Sequence, residues 1–136
     1  MSQYVSNKLK ELVVNRAKFR CEYCRLNAHY SYFPFHIEHI ISVKHGGKTV
    51  ASNLAFSCPL CNINKGSDIA TFVDNPDELV RFFNPRTDKW HDHFYAEKTG
   101  FLVAKTPIGA ATIKIFNFNH PDSIIERHEM IRFGAF

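Results

Sequence analysis

The sequence predicts a small α+β fold in which a strand–strand–helix (ββα) unit follows an N-terminal helix and precedes a hairpin and two helices. Three observations support this class. The chain has 136 residues, 45% of them hydrophobic and 14% aromatic, which is enough for one core. Short apolar runs bounded by turn residues alternate with stretches of helical periodicity. One Cys-x-x-Cys pair precedes the predicted ββα unit, and a second lies where its helix begins. We therefore expect a single domain over residues 1–136, with its core at about 19–67 and a C-terminal extension at about 68–136.

An amphipathic helix is predicted from about Gln3 to Lys18, because its apolar residues recur at helical spacing. Its Lys and Arg residues are interpreted as a solvated face in preference to a DNA contact. Phe19 to Leu26 should form a tight knuckle, since two cysteines three residues apart can share one ion only if the chain turns sharply. Residues 27–34 are predicted to be a loop. The apolar residues of the helix are Val5, Leu9, Leu12, Val13 and Ala17.

The ββα unit is predicted from three successive signals. The run PFHIEHIISV is rich in Ile and Phe and predicts a strand that ends near His39. A Gly46-Gly47 turn follows, and residues 53–57 are short and apolar enough for a second strand. Pro59 suits the first turn of a helix that ends near Gly66.

Beyond this unit, the run FYAEKTGFLVAKT predicts a hairpin around Lys98 to Gly100. One helix should be capped by Thr106 with Pro107 at its first position. A last helix should begin at residues 119–121 and stop at Gly134. The predicted core faces of these two helices are Ile108, Ala111, Thr112 and Ile115, then Ile124, Ile125 and Ile131.

The four cysteines are predicted to hold a structural zinc ion. The N-terminus lacks the apolar stretch of a signal peptide and the chain has no run of about 18 apolar residues, so a soluble cytoplasmic protein without a membrane partner is expected. Disulfides rarely persist in that compartment, whereas paired Cys-x-x-Cys spacings supply a closed tetrahedral thiolate shell. The four ligands are Cys21, Cys24, Cys58 and Cys61.

The segment from Phe35 to Ser67 resembles the His-Asn-His (HNH) endonuclease signature. It carries adjacent Glu38 and His39, then Asn53, then Asn62 directly after the last cysteine. Zinc-containing HNH nucleases carry a Cys-x-x-Cys pair on each side of such a segment, and share the ββα-metal (His-Me finger) fold. A weaker resemblance to stand-alone bacterial HNH proteins extends into LVRFFNPRTDKWHDHF and TPIGAAT.

The resemblance implies a metal-dependent endonuclease that hydrolyses DNA. His39 would be the general base on water, and Glu38 and Asn62 would hold a catalytic Mg²⁺ or Mn²⁺ ion. Asn53 would orient the loop and the base. This sequence has Glu where the family more often has Asp, and Asn62 where many members have His, which leaves metal preference and rate open.

Substrate contacts are predicted less directly. Lys65 lies one helical turn after Asn62 and is predicted to contact phosphate, whereas His36, on the same strand face as Glu38, is either a substrate or metal contact or a structural residue. The net charge of +4 and pI near 8.9 suit a partner with a negative backbone, DNA first and RNA not excluded. A zinc-stabilised nucleic-acid-binding module that has lost cleavage is the alternative function, and a purely structural zinc protein a third.

Overall fold

The computed structural model describes residues 4–136 as five α-helices and three two-stranded antiparallel sheets. Within these residues no helix has the length and apolar character needed to cross a membrane. The elements in chain order are α1 (Asn7–Ala17), β1 (His36–His39), β2 (Leu54–Ser57), α2 (Pro59–Lys65), β3 (Ala70–Thr71), β4 (Val80–Arg81), α3 (Trp90–His93), β5 (Phe94–Ala96), β6 (Leu102–Ala104), α4 (Pro107–Phe116) and α5 (Pro121–Arg132).

The predicted ββα unit is confirmed as β1, β2 and α2. The two strands pair antiparallel, with His36 opposite Ser57 and His39 opposite Leu54. All four residues of β2 are buried, because α1 covers one face of the strand pair. Helix α2 begins directly after β2 with a proline at its first position. The chain therefore passes from the second strand into the helix through a single residue, Cys58.

The first helix begins later than predicted. Ser6 is its N-cap and accepts a hydrogen bond from the backbone N–H of Leu9 at 3.2 Å, so the helix starts at Asn7. The predicted start at Gln3 lies outside the described residues, and Tyr4 to Ser6 are not helical. Val5 fits the helical period but is buried from the extended segment before the cap, which is why periodicity alone placed the start too early.

The C-terminal hairpin and the first turn of α4 follow the prediction, but the core face of α5 does not. The residues of α5 that are buried are Ser123, Arg127 and Met130, while the predicted core residue Ile125 is 62% exposed. Arg127 turns inward because backbone carbonyls inside the domain accept its hydrogen bonds. Such a site satisfies a guanidinium and leaves Ile125 on the opposite side of the helix.

The C-terminal extension packs directly against the knuckle. Phe116 of α4 lies with its ring 4.8 Å from that of Tyr23 in the knuckle, and both side chains are fully buried. The indole N–H of Trp90 donates to the Tyr23 carbonyl at 2.7 Å. Arg86 forms an ion pair with Glu22 of the knuckle. The single-domain organisation stays a prediction, and these contacts are the observations that support it.

Candidate metal centre and catalytic cleft

The four cysteines converge on one point at the base of the ββα unit. Cys21 and Cys24 come from the knuckle, Cys58 caps α2, and Cys61 lies in the first turn of that helix. All four are buried, and their sulfur atoms lie within 4.8 Å of one another. The backbone N–H groups of Cys24 and Cys61 point at the sulfurs of Cys21 and Cys58, each at 3.4 Å. The knuckle and the helix start therefore present a matched pair of two-cysteine turns.

This arrangement fits a structural metal such as zinc. Four thiolates at the usual zinc–sulfur distance of about 2.3 Å stand about 3.8 Å apart at the corners of a tetrahedron. The Cys24 and Cys58 sulfurs are 3.6 Å apart. Burial acts to raise the pKa of Cys21, but hydrogen bonds from the other three thiols together outweigh it and lower this pKa well below its usual value, while burial raises the pKa of Cys61. The cluster already favours one thiolate, and a bound cation would favour the ionised form of the other three thiols.

Arg127 is the counter-charge to this cluster. Its guanidinium is fully buried and donates to the carbonyls of Gly100 at 2.7 Å and Cys24 at 3.4 Å. Burial lowers the pKa of Arg127, and the charges of the four thiolates oppose that effect. A closed four-thiolate zinc site carries a net negative charge, so a buried arginine from α5 offsets part of the cost of placing it in the core.

A second feature, an open cleft of about 490 Å³, lies beside β1 and α2. Glu38 and His39 at the end of β1 form one wall, and Asn62 of α2 faces them. The sequence-predicted base and both predicted divalent-ion ligands therefore share one cleft. The lining residues are Ile37, Glu38, His39, Ser42, Val43, Lys44, Asn62, Ile63 and Gly66.

Glu38 is unusually buried for a carboxylate. It is 7% exposed, and its Oε2 lies 3.8 Å from the Nζ of Lys65. Its Oε1 is buried and accepts no hydrogen bond of ordinary geometry among the described residues, although the Tyr23 phenol lies near enough to favour the ionised carboxylate. Burial raises the pKa of Glu38 to about 7, although the Lys65 charge opposes this. A buried carboxylate in this state is stabilised by a cation placed beside it.

His39 is held in one orientation by Thr49. Its Nε2 lies 2.8 Å from the Thr49 hydroxyl oxygen. Burial, and then the positive charge of Lys65, lower the pKa of His39. The imidazole is therefore neutral at neutral pH, which is the form that can accept a proton.

Asn53 joins the ends of the loop that follows His39. Its side-chain oxygen accepts from the Ile41 N–H at 2.9 Å, and its amide nitrogen donates to the carbonyls of Ile41 at 2.9 Å and Lys48 at 3.0 Å. Gly47 is required here, because a Cβ at this position would lie 1.7 Å from the Ile41 oxygen. The structure thus gives Asn53 the backbone bonds expected of an orienting residue, while its catalytic role stays a prediction.

The two predicted substrate contacts lie elsewhere. His36 is exposed and is not part of the cleft lining. Lys65 is 2% exposed and donates to the His39 carbonyl at 3.1 Å, so it lies under the base and the carboxylate instead of at the surface. Helical spacing did place Lys65 on the side of Asn62 that faces β1. It did not show that Glu38 would turn inward and meet it. A phosphate contact by either residue stays a prediction, and the burial of Lys65 does not favour it.

Three further residues of the site were not identified from the sequence. Thr49 holds His39, and Tyr23 lies beneath Glu38, where burial and then the Glu38 charge raise the pKa of its phenol well above the usual value. Ser42 lines the cleft with a buried hydroxyl that has no hydrogen-bond partner among the described residues. Each belongs to a common residue type at an unremarkable spacing. Only the tertiary structure brings them to the site.

The fold and these two sites together define a ββα domain with a four-cysteine metal site and an open cleft beside β1 and α2. Residues 21–68 match the family model described as HNH endonuclease, which covers both cysteine pairs and the cleft residues named above. Over these residues the chain is therefore similar to the HNH endonuclease family, whose members generally cut nucleic acid. No curated protein matches the chain, and no solved structure does.

Proposed function

We propose that this protein is a metal-dependent endonuclease that hydrolyses DNA phosphodiester bonds, with His39 as general base and a Mg²⁺ or Mn²⁺ ion held by Glu38 and Asn62. One observation carries the proposal: a neutral, fixed imidazole and a carboxylate with an unpartnered oxygen line the same cleft of an HNH domain. Hydrolysis of a phosphodiester needs a base for water and a cation for the phosphate, brought together in fixed geometry.

The general base is argued from the hydrogen bond of His39. In the tautomer that donates Nε2–H to Thr49, the other ring nitrogen, Nδ1, holds the lone pair. The lowered pKa keeps that lone pair available near neutral pH. The loop fixed by Asn53 begins directly after His39, so the ring and its threonine partner are held by the same short segment. This is the rigidity that general-base catalysis requires.

The divalent ion is argued from the donors in the cleft. Glu38 Oε1 and the Asn62 amide oxygen are hard ligands of the kind that Mg²⁺ and Mn²⁺ prefer. The Asn62 side chain takes part in none of the hydrogen bonds found in residues 4–136, so its oxygen is free for this use. When bound, the ion would stabilise negative charge on the phosphate and on the leaving oxygen. Because Glu38 binds it as a carboxylate, cleavage should increase as the pH rises through about 7.

We propose a role for Lys65 beneath the site, with Lys44 as the surface cation. The Nζ of Lys65 lies 3.8 Å from Glu38 Oε2, and its positive charge acts to lower the pKa of both Glu38 and His39. Lys65 therefore favours the ionised carboxylate and the neutral imidazole together. Lys44 is exposed on the cleft lining and can reach a phosphate from there.

A nucleic-acid-binding module without cleavage is the second candidate. It is favoured by one observation: the Glu38 carboxylate is directed into the protein and paired with Lys65, instead of being open to solvent. If Glu38 keeps its proton under all conditions, the cleft binds no divalent ion and the domain does not cut.

Relaxation of supercoiled plasmid tests the proposal. Zinc-loaded protein is incubated at pH 8 with Mg²⁺, with Mn²⁺, or with no added divalent ion, and its zinc content is measured again afterwards. Nicking only with added ion, at unchanged zinc content, is expected. His128→Ala is a matched control, because His128 is exposed on α5 away from the cleft. Glu38→Ala should raise the metal concentration needed. If the protein binds the plasmid but does not nick it with either ion, this result supports the second candidate.

A further inference from the structure

A basic cleft lies beside the zinc knuckle, apart from the catalytic cleft. It has a volume of about 330 Å³ and is lined by Arg16 and Lys18 at the end of α1 and by Arg20 and Arg25 of the knuckle. The two carboxylates in its lining already have arginine partners outside it. Glu22 pairs with Arg86, and Asp88 is bound by Arg81 at 2.7 Å. The lining therefore carries four positive charges, Arg16, Lys18, Arg20 and Arg25, and two negative ones that are already paired with arginines.

The arginines of this cleft have unused hydrogen-bond donors. Arg20 Nη1 and Arg25 Nε are both buried without a partner among the described residues. Buried donors normally have a partner, and each one that lacks it costs about 1–3 kcal/mol. The Arg25 guanidinium lies over the Trp90 ring, 5.2 Å from its centroid, which fixes its plane and keeps it at the cleft. An anion with several acceptor oxygens would satisfy both donors.

These arginines are not the counter-charges of the zinc site. Arg127 fills that role, since its buried guanidinium donates to the Cys24 carbonyl from inside the core. Arg20 and Arg25 instead line the cleft. Two like charges held together without an acceptor are typical of a site for an anionic ligand.

The position of the cleft relates it to the catalytic site. Arg16 donates to the Leu54 carbonyl at 2.9 Å, and Arg86 donates to the same oxygen at 3.1 Å. Leu54 is the residue of β2 that pairs with His39 of β1. The basic cleft therefore lies along the edge of β2 that faces away from β1. A nucleic-acid backbone passing His39 can continue around this edge, since it carries a charge at every nucleotide.

We propose that this basic cleft binds a phosphate group of the nucleic-acid backbone, outside the nucleotides that are cut. The inference rests on the proposed function, because it assigns a second contact for the same substrate. Arginine forks match phosphate oxygens in pairs, and such contacts add affinity without reading sequence. The end of α1 thus contributes to binding, in contrast to the expectation that its basic residues are only solvated.

Fluorescence anisotropy on a labelled DNA duplex tests this site. Zinc-loaded parent, Lys18→Gln and Arg20→Gln proteins are titrated without divalent ion at several salt concentrations between 50 and 200 mM KCl. Lys8→Gln is the matched control, because Lys8 is exposed on α1 and lies outside the cleft lining. Each cleft variant should bind about 3- to 10-fold more weakly at low salt, with a salt slope lower by roughly 0.9. The control should bind like the parent.

Each outcome separates this site from the nuclease proposal. Weaker binding by both cleft variants supports the site even if the parent never cuts DNA. Unchanged affinity and slope overturn it even if the parent is an active nuclease. If Arg20→Gln loses zinc, the exposed Lys18→Gln variant decides alone. Inorganic phosphate, titrated at constant ionic strength, should displace DNA from the parent more than from the variants. Phosphate binding with no change in DNA affinity would mean a site for free phosphate and would overturn the backbone assignment.

Discussion

Replacing Glu38 by Gln should change how the stability of the protein depends on pH. Burial raises the pKa of Glu38 from 4.5 to about 7. The folded state therefore holds this proton more tightly than the unfolded state, and stability decreases as the pH rises from about 4.5 through about 7. A pKa raised from 4.5 to about 7 corresponds to about 3 kcal/mol of stability lost over that range. Gln cannot ionise, so the variant does not lose it.

Urea denaturation of zinc-loaded parent and Glu38→Gln at pH 5, 6, 7 and 8 measures this effect. Replacing the carboxyl by an amide changes the free energy of unfolding by an amount that does not depend on pH, and the difference between the two proteins at pH 5 measures it. The zinc site affects both proteins alike. Between pH 5 and pH 8, the free energy of unfolding of the parent should fall by about 2–3 kcal/mol relative to that of the variant. Glu97→Gln is the control, since Glu97 is exposed in the hairpin. Parallel pH curves for parent and variant would refute a buried Glu38 with a raised pKa.

The same pair of proteins links stability to metal binding. Mn²⁺ at pH 8 should stabilise the parent, because an ion that binds only the folded state adds RT ln(1 + [L]/Kd). It should leave Glu38→Gln nearly unchanged, since the variant lacks the carboxylate of the divalent-ion site. Equal stabilisation of both proteins would place the ion elsewhere. Stabilisation of the parent alone would support Glu38 as a ligand of the ion, retained although its free carboxylate lowers stability at neutral pH.

Three further perturbations are expected to give distinct results. Cys58→Ser should lose zinc and unfold, because structural zinc contributes on the order of 10 kcal/mol, and a folded variant seen by circular dichroism with no bound zinc would contradict this. Asn53→Ala removes three hydrogen bonds to Ile41 and Lys48 and should lower both the free energy of unfolding, by about 2 kcal/mol, and the cleavage rate. A stable variant with full activity would exclude Asn53 as an orienting residue. Lys65→Met should move the pH dependence of cleavage to higher pH with little change in DNA affinity, because the charge that opposes the raised pKa of Glu38 is gone. Weaker DNA binding with a reduced salt slope would instead support the predicted phosphate contact.

Much of the fold followed from local signals. The two Cys-x-x-Cys spacings predicted the metal site, because each tight turn brings two sulfur atoms to the same side, where they can bind one ion. Pro59 and the Thr106-Pro107 pair marked the starts of α2 and α4, since proline is compatible with the first helical turn and a threonine side chain caps it. The order of short apolar runs and turns then predicted the ββα unit.

The errors concern residues whose roles depend on distant parts of the chain. Arg127 is fully buried because carbonyls of Gly100 and Phe118 accept its hydrogen bonds, and no pattern within α5 indicates this. Ile125 was predicted in its place because hydrophobic periodicity ranks isoleucine above arginine for a core position. Helical spacing alone likewise predicted that Lys65 would lie at the surface, beside Asn62. Its burial follows from the inward direction of Glu38 on the neighbouring strand.

The single-turnover rate of DNA cleavage by His39→Ala, compared with the parent, is the most direct test of the nuclease assignment. Both proteins are used in excess over DNA at pH 8 with Mn²⁺, after their zinc content and DNA affinity have been shown to be equal. His39 acts only on the attacking water in this mechanism, so the variant should cut about 10² to 10⁴ times more slowly. Cleavage by His39→Ala at the parental rate would contradict the assignment. So would a parent protein that binds DNA and never cuts it with any divalent ion.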